Sequence, residues 1–390
     1  MKIAFDMQPL LNSNKSGVGY NEHGLVTGLM KKYTENEYLL EYFGYKDAET
    51  KKEIVARYEQ SNATADVCSW FPGSLYRLLS TFFHLPYHCF FKKNTEITHF
   101  FNYFIPPGVR GKRVVTIHEM AFREFPETVR FKTKIFLKLG LRKSIKRADK
   151  VITVSEFSRS EIQKYYAVPD TRIAVVPNGV DSQRFHDRYT EKEIEHVRKK
   201  YEIKTAEYFL FLGNVEPRKN LVRMIQAYAL FVKQHKGEDV PELVIAGGRG
   251  WLCDEIYEEA AKNEINNHIR FTGYVEDGDV PLLMSGAMVF CFPSLYEGFG
   301  MPPLEAMACG TPVLTSNTTS LAEVVGDAAI TVNPLDVDEM ADGLSRLFKS
   351  ETLRESLHKK GMERAKKYSW ENAVDKLYQV YEQIKDDMSR

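Results

Sequence analysis

The sequence predicts an α/β protein made of two consecutive doubly wound units. Short β-branched or apolar runs alternate with longer helix-patterned stretches along the whole chain, as in parallel sheets wrapped by helices. At 390 residues the chain exceeds what one hydrophobic core ordinarily supports. A polar, highly charged stretch at 186–205 separates two such strand–helix series.

In the first series KIAFDM, ITHFFN, RVVTIH, KVITVS and IAVVPN read as strands. Helices are expected over Tyr20–Lys32, Phe131–Arg147 and Ser158–Tyr166, the last opened by a capping box of Ser158 and Glu161. In the second series YFLFLG, ELVIAG, IRFTGY, MVFCFP and PVLTS read as strands, with helices over Asn220–Gln234, Asp254–Lys262 and Pro303–Cys309. The amphipathic final helix, from Trp370 to Ile384, is grouped with the first series. The expected domains are therefore 1–185 with about 370–390, and 186–369. The aromatic and basic segment 75–93 reads as a core helix followed by a loop, with a membrane-surface patch as the alternative.

Hydrophobic content of 43% and charged content of 27% describe an ordinary globular composition. No apolar run approaches the ~20 residues needed to span a bilayer, so a cytoplasmic location is expected, with contact at the inner face of the membrane as an extension. Five cysteines without a C-x-x-C pair give neither a disulfide framework nor a zinc pattern. The zero net charge hides an asymmetry. Residues 1–185 carry 28 lysines and arginines against 19 acids, and the remainder carries 25 against 34. Either the first half faces an anionic acceptor or lipid surface, or the two halves attract each other.

The densest chemistry lies at 295–314, LYEGFGMPPLEAMACGTPVL. A strand ends near Ser294, Gly298 and Gly300 allow close backbone approach, and Pro302 and Pro303 suit a first helical turn. A glycine loop running into a helix N-terminus suits a phosphate, and ligands in open α/β sheets bind at the carboxyl ends of the strands. Glu305, early in the helix, can accept hydrogen bonds from ribose hydroxyls, and Glu297 lies before the glycines. Both carboxylates also fit a plain structural role near the helix dipole.

The run Glu297-Gly298-Phe299-Gly300-Met301-Pro302-Pro303-Leu304-Glu305 resembles the E-x7-E signature of the retaining GT-B glycosyltransferases of family 4. Other segments are similar to the same family: GNVEPRKN (213–220), VVTIHEM (114–120), SGVGY (16–20), PNGVD and FTGYV. The resemblance implies two Rossmann-like domains facing each other across a cleft. It implies that Glu297 and His118 contact the donor sugar and that Glu305 holds the ribose. Arg218 and Lys219 would hold the diphosphate, beside Asn214 where many members carry arginine. Tyr274 and Val275 would meet the base, and Gly17, Gly19, Gly298, Phe299 and Gly300 would line the donor. Glu119 stands where the family usually has Asp.

The implied activity is retaining transfer of a hexose from a nucleotide diphosphate to a saccharide or lipid-linked saccharide in cell-surface polysaccharide synthesis. The mannosyltransferase-like members suggest GDP-mannose, with UDP-hexoses as runner-up. Arg218, Lys219 and helix N-termini would take the place of a metal, so no metal or cofactor is expected. Nucleic acid is not an expected partner. A non-catalytic nucleotide-sugar-binding subunit, an epimerase and a phosphorylase are competing readings. A dinucleotide oxidoreductase is disfavoured because SGVGYNEHG lacks the G-x-G-x-x-G spacing.

Overall fold

The computed structural model describes residues 1–11, 17–129, 131–262 and 264–389, which form two compact units. The first comprises Met1–Phe122, Val129–Gly179 and Trp370–Arg390, and the second comprises Arg123–Thr128 and Val180–Ser369.

The first unit contains a seven-stranded parallel sheet: β1 (Lys2–Asp6), β2 (Glu37–Phe43), β3 (Ala63–Cys68), β4 (Ile97–Phe100), β5 (Lys112–Ile117), β6 (Lys150–Thr153) and β7 (Ile173–Val175). Their spatial order is β3-β2-β1-β4-β5-β6-β7. Ile3, Ala4 and Phe5 of β1 have no exposed surface, which is why central strands of a parallel sheet read as unbroken apolar runs. The strands β2 and β3 were not expected. Glu37 and Glu41 interrupt the apolar run of β2, and edge strand β3 is half exposed and polar.

The helix Trp370–Ser389 belongs to the core of this unit, contributing Val374, Leu377 and Tyr381. It packs against the helix Gly17–Lys32, where a Cβ on Gly24 or Gly28 would lie 2.4 Å from Trp370 or Val374. Those two glycines, one turn apart, let the backbones approach. Across the sheet, buried His99 joins Tyr381 Oη at 2.6 Å and Thr116 Oγ1 at 2.8 Å.

Two local expectations are corrected. The helix Glu156–Tyr166 starts earlier than expected, and its cap is Ser155, whose hydroxyl accepts from the Ser158 N–H at 3.0 Å. Ser158 is thus inside the helix. In the segment 75–93, the helix Gly73–Phe82 buries only Tyr76, Ser80 and Thr81. Leu75, Leu78, Phe82 and Phe83 are 41–68% exposed, so this is no core helix.

The second unit contains a six-stranded parallel sheet: β8 (Tyr208–Leu212), β9 (Glu242–Ala246), β10 (Ile269–Gly273), β11 (Val289–Phe292), β12 (Val313–Ser316) and β13 (Ile330–Val332). Their order is β10-β9-β8-β11-β12-β13. The short β13 escaped the sequence reading. Within the charged stretch 186–205 lies a helix, Glu191–Lys200, opened by a capping box of Thr190 and Glu193. No helix among the described residues is long and apolar enough to cross a membrane. Cys68, Cys253, Cys291 and Cys309 are buried thiols, and Cys89 is exposed.

Candidate active site

In the second unit, β8 runs into the loop 213–220 and β11 runs into 293–300. The β9 end presses on the first of these: a Cβ on Gly247, itself at φ +145°, would sit 1.9 Å from the Gly213 carbonyl oxygen. Asn220 closes the loop at φ +61° and opens the helix Leu221–Gln234. Its Nδ2 donates to the Pro293 and Pro334 carbonyls at 3.1 and 2.6 Å. The Arg218 carbonyl accepts from Leu295 N–H at 2.9 Å and from Ser294 Oγ at 3.1 Å. Both loops are therefore fixed to each other through their backbones, and the side chains they carry are held in place.

Those side chains form a buried ionic cluster. Glu297 Oε1 accepts from Lys219 Nζ at 2.6 Å and from Ser294 Oγ at 2.7 Å. Its Oε2 lies 3.2 Å from Arg218 Nη1. Burial alone would raise the Glu297 pKa, but Arg218 and Lys219 overcome it and hold the carboxyl at about 2. Arg218 also donates to the Tyr296 carbonyl at 2.7 Å and to Glu216 Oε1 at 3.0 Å. Lys219 Nζ sits 4.8 Å from the Phe292 ring centroid. Two cations thus meet two carboxylates. The sequence reading saw the cations and Glu297 and missed Glu216 and Ser294. Glu216 is in the same loop, so its charge could have been counted from the sequence.

The glycine turn follows. Gly300, at φ +101°, caps the helix Met301–Ala308, and a Cβ there would lie 2.6 Å from Leu321 Cδ2. Phe299 is buried against Tyr368, centroids 5.6 Å apart, so its ring is committed to packing. Gly298 is buried beside it. The Glu305 pKa is raised to about 7 by burial, with Arg184 lowering it and Asp277 raising it. Asp277 follows Val275, so the β10 end and Glu305 share one electrostatic neighbourhood. Val275 is buried, Tyr274 is 64% exposed, and Asn214 is exposed.

The remaining candidates are in the first unit. His118 follows β5, and its Nε2 lies 2.7 Å from the Phe101 carbonyl oxygen. A carbonyl only accepts, so Nε2 carries the proton and Nδ1 is left as an acceptor. Burial lowers the His118 pKa to about 4, against the opposing effect of the Phe101 bond, and the ring is neutral at physiological pH. Gly17 and Gly19 lie in the first turn of their helix; Gly19 is buried, and a Cβ at Gly17 would meet nothing within 4 Å. Ser16 lies outside the described residues.

Residues 193–364 match the model of glycosyl transferases group 1, and residues 48–184 match that of glycosyltransferase family 4. O-antigen chain mannosyltransferase B of Escherichia coli is 35% identical over 280 residues, covering 72% of each chain. The chain belongs to glycosyltransferase family 4.

The serotype-specific mannosyltransferase WbdA of Escherichia coli is 30% identical to this glycosyltransferase over 229 residues, 58% of this chain but only 28% of that longer protein. The crystal structure of HepE of Anabaena in complex with UDP and glucose has the same fold, with a TM-score of 0.70, 16% identity and coverage of 98% of this chain and 100% of that one. The two parallel-sheet units of the glycosyltransferase are those of the GT-B fold. Its ionic cluster and Glu305 fall within the group 1 match and His118 within the family 4 match, whereas Gly17 and Gly19 precede both.

Proposed function

We propose that this glycosyltransferase moves a hexose, mannose from GDP-mannose in the leading reading, onto a saccharide or lipid-linked saccharide in cell-surface polysaccharide synthesis. The transfer is retaining and needs no metal. The observation that carries the reading is the buried pairing of Arg218 and Lys219 with Glu297 at the ends of β8 and β11.

A diphosphate brought to this place competes with Glu297 for the Lys219 ammonium, whose three protons exceed its one carboxylate bond. The cations then stabilise charge as the bond between C1 and the phosphate oxygen breaks, beside a carboxylate they already hold in place. The acceptor hydroxyl oxygen forms the new bond to C1, and its proton passes to the departing phosphate. Glu297 and His118 serve as positioning groups for the donor sugar: Glu297 is fully ionised, and His118 Nδ1 accepts from a sugar hydroxyl. Glu305 accepts from the ribose, Tyr274 and Val275 border the base, and Gly298, Phe299 and Gly300 shape the turn beside the donor. Gly17, Gly19 and Asn214 complete the donor contacts.

The mannosyltransferase relatives support mannose as the sugar. The runner-up, a UDP-linked hexose, is supported by the UDP and glucose in the HepE crystals. Peripheral contact with the inner face of the membrane is supported by the outward Leu75, Leu78, Phe82 and Phe83. Beside them the helix Phe131–Arg147 carries seven basic residues and no acid, and its Lys143 donates to the Thr81 carbonyl at 2.7 Å.

The deciding experiment is a titration with GDP-mannose, UDP-glucose, UDP-N-acetylglucosamine and ADP-glucose, each with EDTA present. Selective binding of one donor, lost in Lys219→Ala and Glu305→Ala, supports the reading and names the donor class. Binding that requires an added divalent cation overturns the metal-free step.

A further inference from the structure

A short strap from the first half of the chain belongs to the second unit. Residues 123–128, REFPET, pack there although the residues before and after them belong to the first unit. The strap follows closely on His118 in the sequence, and its shape is fixed locally. Pro126 presets the backbone for a tight turn. The Phe125 carbonyl then accepts from the Thr128 N–H at 3.0 Å and from the Thr128 hydroxyl at 2.7 Å. That turn fixes the direction of the Phe125 ring.

Two contacts dock the strap, and each lands beside a loop that carries the ionic cluster. Trp251 Nε1 donates to the Thr128 carbonyl at 2.7 Å. Trp251 follows Gly250, whose N–H donates to the Val215 carbonyl at 3.0 Å, and the Val215 N–H donates to the Gly248 carbonyl at 3.0 Å. A Cβ on Gly250 would lie 2.4 Å from the Val215 carbonyl oxygen, so this approach admits no side chain. Trp251 is therefore tied to the loop that bears Glu216, Arg218 and Lys219. On the other side, the half-buried Phe125 ring lies 5.7 Å from the Tyr296 ring, tilted by 55°.

Tyr296 is fully buried and stands directly before Glu297. Its carbonyl accepts from Arg218 Nη1 at 2.7 Å, and the same nitrogen faces Glu297 Oε2 at 3.2 Å. A shift of Tyr296 moves that carbonyl, and with it the guanidinium and the carboxylate it holds. Packed interiors transmit such shifts because they leave little free volume. Apolar cover alone would need no fixed ring direction. Here a buried threonine hydroxyl holds the Phe125 carbonyl, and both docking contacts bear on the loops of the cluster.

We propose that Phe125 is a positioning residue of the donor site, acting through Tyr296 on Arg218 and Glu297, with the Trp251–Thr128 hydrogen bond keeping it seated. This role rests on the donor reading of the preceding section. It adds to that site a residue from the first half of the chain that works without contacting the donor. The strap thereby sets the geometry of the cations before a diphosphate arrives, which is the preorganisation that electrostatic stabilisation requires.

The test combines hydrogen exchange on the full chain without ligand and titration of the same preparations with GDP-mannose and UDP-glucose. The Leu295 N–H donates to the Arg218 carbonyl and reports the junction of the two loops. Phe125→Ala is expected to speed its exchange about tenfold or more, with the amides of β9 and β12 unchanged. Affinity for the donor that wild type binds is expected to fall about tenfold or more, since small misplacements of site groups are costly. Phe125→Tyr keeps the ring and is expected to restore both readouts to within about twofold. Trp251→Phe keeps its ring, loses only the bond to Thr128, and is expected to cost about fivefold in affinity. Leu295 exchange unchanged in Phe125→Ala, exchange raised throughout the second unit, or a loss that Phe125→Tyr does not restore each overturns the role. Wild type that binds neither donor, with the local exchange response as expected, removes the transfer reading and leaves the brace on Arg218 and Glu297 standing.

Discussion

Lys219 Nζ and Glu297 Oε1 are 2.6 Å apart, with side chains only 11% and 10% exposed. Arg218 Nη1 at 3.2 Å and Ser294 Oγ at 2.7 Å still hold Glu297 when Lys219 is removed, so the loss lies below the about 3–5 kcal/mol of a fully stranded buried charge, and replacing both partners with apolar groups costs less still. Lys219→Ala is therefore expected to destabilise the second unit by about 1–3 kcal/mol in urea unfolding. The double variant Lys219→Met with Glu297→Leu recovers most of the loss and binds no donor. A double variant as unstable as the single one would show that the pair is not coupled in this way.

The same cluster sets a pH dependence. The Glu297 pKa is lowered from 4.5 to about 2, so its contribution to stability is fully present above pH 4.5 and is lost as pH falls toward 2. Glu305 behaves in the opposite sense, raised from 4.5 to about 7. Between those values the folded chain holds a proton that the unfolded chain has released, so stability falls as pH rises through that window. Donor affinity gains what stability loses, since the ionised carboxylate is the better acceptor for ribose hydroxyls. From about pH 6 to about pH 8 its ionised fraction rises from roughly a tenth to nine-tenths, and affinity is expected to rise up to about tenfold. Calorimetry across that range should show the rise in wild type and a flat line in Glu305→Gln.

His118 stays neutral down to about pH 4. Activity between about pH 5 and pH 8 should therefore carry no inflection from this residue. His118→Ala is expected to lower kcat/KM about a hundredfold by removing a positioned hydrogen bond, with an unchanged profile over that range. A profile whose acidic limb moves in the variant would show that the imidazole titrates during turnover.

Leu75, Leu78, Phe82 and Phe83 project outward beside a helix with seven basic residues and no acid. Flotation with vesicles containing phosphatidylglycerol should recover the wild-type chain, with less recovered at high salt. Phe82→Ser with Phe83→Ser should remain at the bottom of the gradient. Equal flotation of this variant would mean that the apolar crest does not touch lipid.

The strands with uninterrupted apolar runs were legible in the sequence, and so was the glycine turn that runs into the helix Met301–Ala308. What escaped notice was set by partners far away in the chain. β2 looks polar at Glu41 because that carboxyl is matched by Tyr87, 46 residues on. Glu216 and Ser294 matter because the β8 and β11 loops are neighbours, a relation that only the strand order supplies. The outward face of the helix Gly73–Phe82 was misjudged for a related reason: an apolar stripe looks the same whether it faces a core or solvent.

The final helix gives the chain an unusual order of completion during synthesis. The core of the first unit needs Val374, Leu377 and Tyr381, which are made after every residue of the second unit. The ribosome thus delivers the keystone of the earlier unit only after the whole of the later one. Strands β8 to β13 emerge as one continuous stretch and can assemble while the first unit still waits for its closing piece. A premature stop shortly after Ser369 would therefore damage the first unit, although residues 1–179 had already been made.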